Sequence, residues 1–403
     1  MKTRRVIILG STGSIGTQTI EVVRHLNALA ARGESGVRFD VVGLATGRSA
    51  EAAFAQAAEL GVRDVAVATL NGAQAPAGVR LLHGPDAARD LVERIDADIV
   101  VGAMVGSAGV PATIAALRKG ADVALANKET LVAAGEIVTK IAKESGARLL
   151  PVDSEHSAIW QCLSGREGGH IAPPCALEAG VRRLILTASG GALRHKNRHE
   201  TYHASVEDAL AHPNWAMGAK VTIDSASLTN KALEVIEAHW LFGLSADRIG
   251  VVIHPQSIVH SFVEFADSSV LAQLGAPDMK TPIHYALVFP ARVEGCSRRL
   301  DFGALSRLDF EEPDTERFPA LALGFRVVRE GGTSGAVFNG ANEAGVEAFI
   351  QKKIPFGRVA ELSREAMDAV GASPMRDLSD AEEADREARR FVSAALASSP
   401  VAR

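Results

Sequence analysis

Apolar residues in the first 150 positions fall into short unbroken runs separated by alanine-rich stretches. Arg5–Leu9, Phe39–Leu44, Val65–Ala68, Ile99–Ala103, Val123–Ala126 and Leu149–Val152 read as strands. Thr17–Ala30, Ala50–Leu60, Gly109–Arg118 and Leu131–Glu144 read as helices between them. A strand apolar on both sides must be covered on both, so the pattern predicts a parallel sheet clad in helices. From Arg182 the spacing changes. Leu184–Ala188, Val251–His254, Ile258–Phe265 and Val270–Leu274 look like antiparallel strands of a second, α+β domain. Pro290 to about Pro313 is irregular and turn-rich, and after Pro319 the period is helical, with Ser379-Asp-Ala-Glu382 as a capping box for the last helix. Gly165–Gly180, with its Gly-Gly and Pro-Pro pairs, reads as a surface insertion.

A chain of 403 residues is too long for one core, which suits two or three domains. The net charge of −5 argues against a nucleic-acid partner, which usually demands a basic stripe. Three scattered cysteines without CxxC spacing look like reduced thiols, and the apolar run Val6–Leu9 after the basic start is too short for a signal peptide and stops at a glycine loop. No apolar stretch nears membrane-spanning length, so the expected setting is cytoplasmic, away from membranes.

The first chemical signal is Pro151-Val-Asp-Ser-Glu-His156. A strand-like run ends in two acids, Asp153 and Glu155, just where an open α/β sheet places its ligands. Carboxylates there suit a hard divalent cation. Capping of the next helix by Asp153 or Ser154 is the plainer alternative.

The second signal is Gly10-Ser-Thr-Gly13-Ser-Ile-Gly16, which follows the first strand and opens the first helix. Glycines let backbone approach a pyrophosphate, and the helix start offers amide donors. The spacing is GxxGxxG rather than GxGxxG, in a Rossmann-like context. Strand two ends Leu44-Ala-Thr-Gly47-Arg48-Ser49, with no acid to take a ribose 2′-hydroxyl and a guanidinium that suits a 2′-phosphate. NADPH is thus expected over NADH, unless Arg48 is simply a solvated loop residue.

An ordered series of motifs then resembles the 1-deoxy-D-xylulose 5-phosphate reductoisomerase family. It comprises Gly10–Gly16, Ala126-Asn-Lys-Glu129, Pro151–His156, Ser189-Gly-Gly191, His212-Pro-Asn-Trp-Ala-Met-Gly218, Asp224-Ser225, Asn230-Lys-Ala-Leu-Glu234, Ile253–His260, Gln273–Met279 and Asn339-Gly-Ala-Asn-Glu343. The resemblance implies an α/β fold with a Rossmann-like N-terminal domain, an α+β catalytic domain and a C-terminal helical bundle. Its layout would be an NADPH domain at 1–152, a catalytic domain at 153–290 with a lid near 206–218, a connector at 291–315 and a helical domain at 316–403. It further implies a homodimer that isomerises and reduces a small phosphorylated sugar, using NADPH and Mg²⁺, Mn²⁺ or Co²⁺.

Roles follow from the same resemblance. Asp153, Glu155 and Glu234 would hold the metal and, with Lys128, serve catalysis. Lys128, Ser154, Glu155, Ser189, His212, Ser225, Asn230, Lys231 and Glu234 would meet the substrate. Thr12, Gly13, Ser14, Ile15, Gly47, Arg48, Ser49, Asn127, Glu129 and Gly218 would meet the cofactor. His260 would stand behind Glu234. Taken without the family, Lys231 and Glu234 read as an exposed ion pair one helical turn apart, and Lys128 as a snorkelling side chain. The chain departs from the family at Ala192-Leu193, where Pro-Phe is common, and at Arg48-Ser49, where Lys-Asn is common. Two other functions compete: a different NADPH enzyme with a cysteine nucleophile, such as aspartate-semialdehyde dehydrogenase, and a non-catalytic nucleotide sensor.

Overall fold

The structure, a computed structural model, describes residues 1–164, 170–177, 180–215 and 217–398. Residues 165–169 and 178–179 of the Gly165–Gly180 insertion therefore lie outside the described residues. The chain divides into two compact units. One comprises Met1–Thr130, Val138–Cys175 and Asp278–Arg299; the other comprises Leu131–Ile137, Ala176–Pro277 and the chain from Leu300.

The first unit holds a seven-stranded sheet built from β1 (Lys2–Leu9), β2 (Val37–Thr46), β3 (Asp64–Val67), β4 (Arg80–His83), β5 (Ile99–Gly102), β6 (Asp122–Leu125) and β7 (Leu149–Pro151). All pairings are parallel, in the order β4-β3-β2-β1-β5-β6-β7. The connecting helices are α1 (Ser14–Ala31), α2 (Ala50–Leu60), α3 (Ala87–Arg94), α4 (Val110–Arg118), α5 (Glu129–Ser145) and α6 (Ser154–Leu163). β3, β5, β6 and β7 are buried along their whole length, as the unbroken apolar runs require, and β1 is buried over Val6–Leu9. Successive strands run outward from β1 in one direction to β4, then restart beside β1 at β5. That reversal opens a crevice at the carboxyl ends of β1 and β5, where sheets of this kind take ligands. The sequence pattern missed β4 and α3. Arg80-Leu-Leu-His83 has only two apolar residues and stands at the sheet edge, exposed at both ends.

The second unit holds β8 (Val181–Ala188), the short helices α7 (Arg198–Tyr202) and α8 (Val206–Leu210), then α9 (Ala219–Ala226) and α10 (Thr229–Phe242). Strands β9 (Ile249–Ile253), β10 (Val259–Phe265) and β11 (Val270–Leu274) complete its sheet, in the order β11-β10-β8-β9. This sheet is mixed rather than wholly antiparallel as expected. β10 is antiparallel to β8 and β11, but β8 and β9 are parallel. The helical stretch between β8 and β9 supplies the crossover that parallel neighbours need.

Helix α11 (Lys280–Val288) belongs to the first unit, and α12 (Ala320–Glu330), α13 (Ser334–Ile350), α14 (Gly357–Val370) and α15 (Leu378–Ser398) to the second. The stretch from 289 to 319 contains no named helix or strand, in keeping with its turn-rich sequence. Leu233 and Ile236 of α10 share a core with Val337 and Phe338 of α13 and Ala384 and Ala388 of α15. The expected capping box at Ser379 is displaced by two residues. Asp377 accepts from Ser379 N at 2.8 Å and Asp380 accepts from Asp377 N at 3.3 Å, because the helix begins earlier, at Leu378. Among the described residues no helix is long and apolar enough to cross a membrane.

Candidate active site

In the first unit, four loops meet the carboxyl edge of the parallel sheet. The glycine loop follows β1. Gly10 has φ +82, and a Cβ there would lie 2.4 Å from Ala103 O; a Cβ on Gly16 would lie 2.2 Å from Gly10 O. These two glycines are required by the protein's own packing. Gly13 is different: it is exposed, and the nearest atom to an added Cβ is Gly10 O at 3.4 Å. It caps α1, whose first turn carries no acid, so the helix start is open to an anion. Thr12 is pinned by a 2.6 Å hydroxyl–hydroxyl bond to Thr46, the last residue of β2, a contact that sequence reasoning missed. Ser14 is exposed and Ile15 half-buried on the opening turn. Beyond β2, Gly47, Arg48 and Ser49 are all exposed.

After β6 come three buried residues, Asn127, Lys128 and Glu129. Asn127 Nδ2 donates to Glu129 Oε2 at 2.8 Å and to Gly106 O at 3.1 Å, tying this turn to the loop after β5. Lys128 does not snorkel. It is 9% exposed, and its Nζ lies 2.6 Å from Asp153 Oδ2.

Asp153 follows β7. Its Oδ1 accepts from Ser154 N at 3.0 Å, so it caps α6 and also pairs with Lys128. Ser154 Oγ donates to Glu155 Oε2 at 2.6 Å. The rigidity of this helix start comes from Trp160, fully buried one and a half turns on. Its ring packs 4.6 Å from Tyr285 and 4.5 Å from Phe289, and its Nε1 donates to Ile171 O at 2.6 Å.

The second unit holds the other residues expected to meet the substrate. Glu234 is buried at 1% exposure and receives hydrogen bonds from Asn230 Nδ2 on one carboxylate oxygen and Lys231 Nζ on the other. The expected exposed pair is thus a buried one, because α10 is enclosed on nearly every side by the fold around it. Ser225 and Asn230 flank a tight corner between α9 and α10. Leu228 sits there at φ +58, while Ser227 Oγ donates to Asp224 O at 3.1 Å and bonds Thr229 Oγ1 at 2.7 Å. Gly191, at φ +69, packs so closely that a Cβ would lie 2.5 Å from Ser225 O.

His212 organises its own loop. Its Nδ1 accepts from Asn214 N at 3.2 Å and Trp215 N at 3.0 Å. Nε2 must then carry the proton, and it donates to Ser189 Oγ at 2.9 Å. Gly191 N also donates to Ser189 Oγ, at 3.2 Å, so the serine's own hydrogen remains available to another acceptor. Burial holds His212 below the usual histidine value. Trp215 and Met217 are half-buried, and the Trp215 and His260 rings stand 6.4 Å apart. Gly218 caps α9, with open space where a Cβ would stand.

Carboxylates dominate the donor set, which fits a hard divalent cation, and the bare helix start above an open Gly13 fits a pyrophosphate. The cysteines do not fit nucleophilic catalysis. Burial pushes the Cys162 and Cys175 thiols up to about 11 and raises Cys296 as well.

Three family models cover the chain. Residues 6–135 match 1-deoxy-D-xylulose 5-phosphate reductoisomerase, 149–242 match the C-terminal domain of that enzyme, and 274–391 match the DXP reductoisomerase C-terminal domain. The 1-deoxy-D-xylulose 5-phosphate reductoisomerase of Chlorobium chlorochromatii is 47% identical over 395 residues, covering 96% of this chain and 98% of its own. A crystal structure of DOX-P reductoisomerase in complex with NADPH, fosmidomycin and magnesium superposes with a TM-score of 0.89 at 36% identity, covering 98% of each chain. The Zymomonas mobilis enzyme in complex with NADPH gives 0.86 at 38% identity, over 99% of this chain and 100% of that one. The chain belongs to the 1-deoxy-D-xylulose 5-phosphate reductoisomerase family.

Proposed function

We propose that the two residue groups serve one reaction, the NADPH- and divalent-metal-dependent conversion of 1-deoxy-D-xylulose 5-phosphate to 2-C-methyl-D-erythritol 4-phosphate. The observation that carries this reading is the meeting of the open glycine loop and the Lys128–Asp153 pair at one edge of one parallel sheet. Asp153, Glu155 and Glu234 are assigned to the metal, which when bound supplies a Lewis acid for the substrate's adjacent oxygens. NADPH, when bound, supplies the hydride.

The chain's own residues do the positioning. Asp153 fixes the Lys128 ammonium, which orients the substrate's reacting oxygens. Ser189 turns its free hydrogen toward phosphate because both of its acceptor sites are already used. Ser225, Asn230 and Lys231 complete a charge-assisted phosphate pocket. Lys231 also offsets the burial of the Glu234 charge. Closure of the 206–218 lid over Trp215 would exclude water. Thr12, Gly13, Ser14 and Ile15 cradle the pyrophosphate, Gly47, Arg48 and Ser49 take the 2′-phosphate end, and Asn127, Glu129 and Gly218 take the nicotinamide side.

The layout of the four sequence sections, a homodimer and a cytoplasmic setting belong to the same proposal. It is supported by the match of motif positions along the whole chain.

The test is NADPH oxidation, followed by its absorbance, with deoxyxylulose phosphate as substrate. Oxidation that stops with EDTA and returns with Mg²⁺ is expected. Absence of oxidation, or indifference to EDTA, would contradict the reading.

A further inference from the structure

The Asn339-Gly-Ala-Asn-Glu343 motif lies in α13, among the C-terminal helices, and no step above uses it. Its two asparagines are both buried but do different things. Asn339 turns toward Glu343, whose carboxylate is paired with Arg389 of α15, so it ties the helices together. Asn342 points elsewhere. Its Nδ2 donates at 3.0 Å to Oδ1 of Asp224, a residue 118 positions earlier in the chain.

Asp224 is 1% exposed and its second oxygen lies 3.0 Å from Lys220 Nζ. A carboxylate accepts and cannot donate, so the amide of Asn342 must present its NH₂ side. Among the described residues its buried Oδ1 has no hydrogen-bond partner. An amide that leaves its own oxygen unsatisfied to serve one carboxylate is oriented for that carboxylate.

Asp224 begins the corner that places the phosphate residues. Its carbonyl accepts from Ser227 Oγ, Leu228 follows in a left-handed conformation, and Ser225, Asn230 and Lys231 lie on either side. A left-handed leucine is unfavourable unless its neighbours fix it. The backbone of Ser225 is also the surface against which Gly191 packs, two residues after Ser189 in the same loop.

We infer that Asn342 is a positioning residue for phosphate recognition: by clamping Asp224 it sets the α9–α10 corner, and with it Ser225, Asn230 and Lys231. This rests on the assignment of those three residues to phosphate, and the experiment separates the two ideas.

Steady-state constants are measured for Asn342→Leu, Asn342→Asp, the exchange variant Asp224→Asn with Asn342→Asp, and Ser225→Ala. Asn342→Leu should raise the KM for deoxyxylulose phosphate roughly ten- to hundredfold, with kcat and the NADPH KM within about threefold. Asn342→Asp, which sets two carboxylates face to face, should be worse. The exchange variant restores one donor and one acceptor, and should recover most of the substrate KM. If Asn342→Leu does not fold, the comparison of Asn342→Asp with the exchange variant decides.

Equal loss of kcat and of affinity for both ligands, or an exchange variant no better than Asn342→Asp, would overturn the inference. If Ser225→Ala raises the substrate KM while Asn342→Leu leaves it unchanged, the inference fails and the phosphate assignment stands. If Ser225→Ala has no effect, both fail.

Discussion

The Lys128 ammonium lies 2.6 Å from the Asp153 carboxylate, although the two residues leave different strands of the sheet. Each is nearly buried, and Asp153 simultaneously caps α6. One carboxylate therefore fixes both a helix start and a cationic donor at the ligand edge. Lys128→Ala is expected to lower kcat/KM by about 10²–10³ while NADPH binding changes little. Lys128→Arg keeps the charge but not the compact ammonium, and should not restore turnover. Normal activity in Lys128→Arg would reduce the pair to a structural ion pair.

The glycine loop divides into packing and binding positions. Gly16→Ala places a Cβ 2.2 Å from Gly10 O and should destabilise the fold by about 1–3 kcal/mol in urea unfolding. Gly13→Ala has room within the protein and should leave Tm within a few degrees. It should nevertheless weaken NADPH at least about tenfold if, as proposed, the pyrophosphate approaches the backbone there. Unchanged NADPH affinity in Gly13→Ala would place the pyrophosphate elsewhere.

Arg48 is exposed beside Gly47 and Ser49 at the end of β2. Loss of one charge-assisted phosphate contact is worth about 1.5–3 kcal/mol, roughly ten- to more than hundredfold in affinity. Arg48→Ala should weaken NADPH by that factor and leave NADH binding nearly untouched. Equal effects on the two cofactors would remove the 2′-phosphate role.

His212 gives the fold a dependence on pH. Burial lowers its folded value below the ordinary 6.5 of the exposed ring. On acidification the unfolded chain takes up the proton first, so the stability associated with neutral His212 is complete above about 6.5. It is lost as pH falls from there toward the folded value. Protonation would also remove Nδ1 as acceptor for Asn214 and Trp215. In His212→Asn a side-chain oxygen can still accept from the turn without titrating. Urea unfolding between about pH 8 and about pH 5 should show a smaller loss of stability in that variant than in the wild type. Equal losses would show that His212 does not contribute to the acid limb.

Much of this was legible in the sequence, and the limits have physical causes. Runs such as Ile99–Ala103 announced buried parallel strands because neither face carries a polar residue. Strand direction in the second sheet was not readable, since alternation is the same in parallel and antiparallel partners. Asp153 carried two compatible readings, cap and functional acid, and its two oxygens serve an α6 amide and Lys128. The spacing of Lys231 and Glu234 placed them one turn apart but not in the interior; only the packing of α10 determines that. The pairing of Asn342 with Asp224 and the left-handed turn at Leu228 leave no local trace, because one is a long-range contact and the other is imposed by its surroundings.

Asp153, Glu155 and Glu234 are proposed to hold one divalent ion. Mn²⁺, read by electron paramagnetic resonance, is titrated into the wild type and Glu234→Gln in the presence of NADPH. A single Mn²⁺ per chain is expected in the wild type. In Glu234→Gln the expected affinity is lower by at least about tenfold, with NADPH still bound. Wild-type Mn²⁺ affinity in Glu234→Gln would overturn the shared metal assignment.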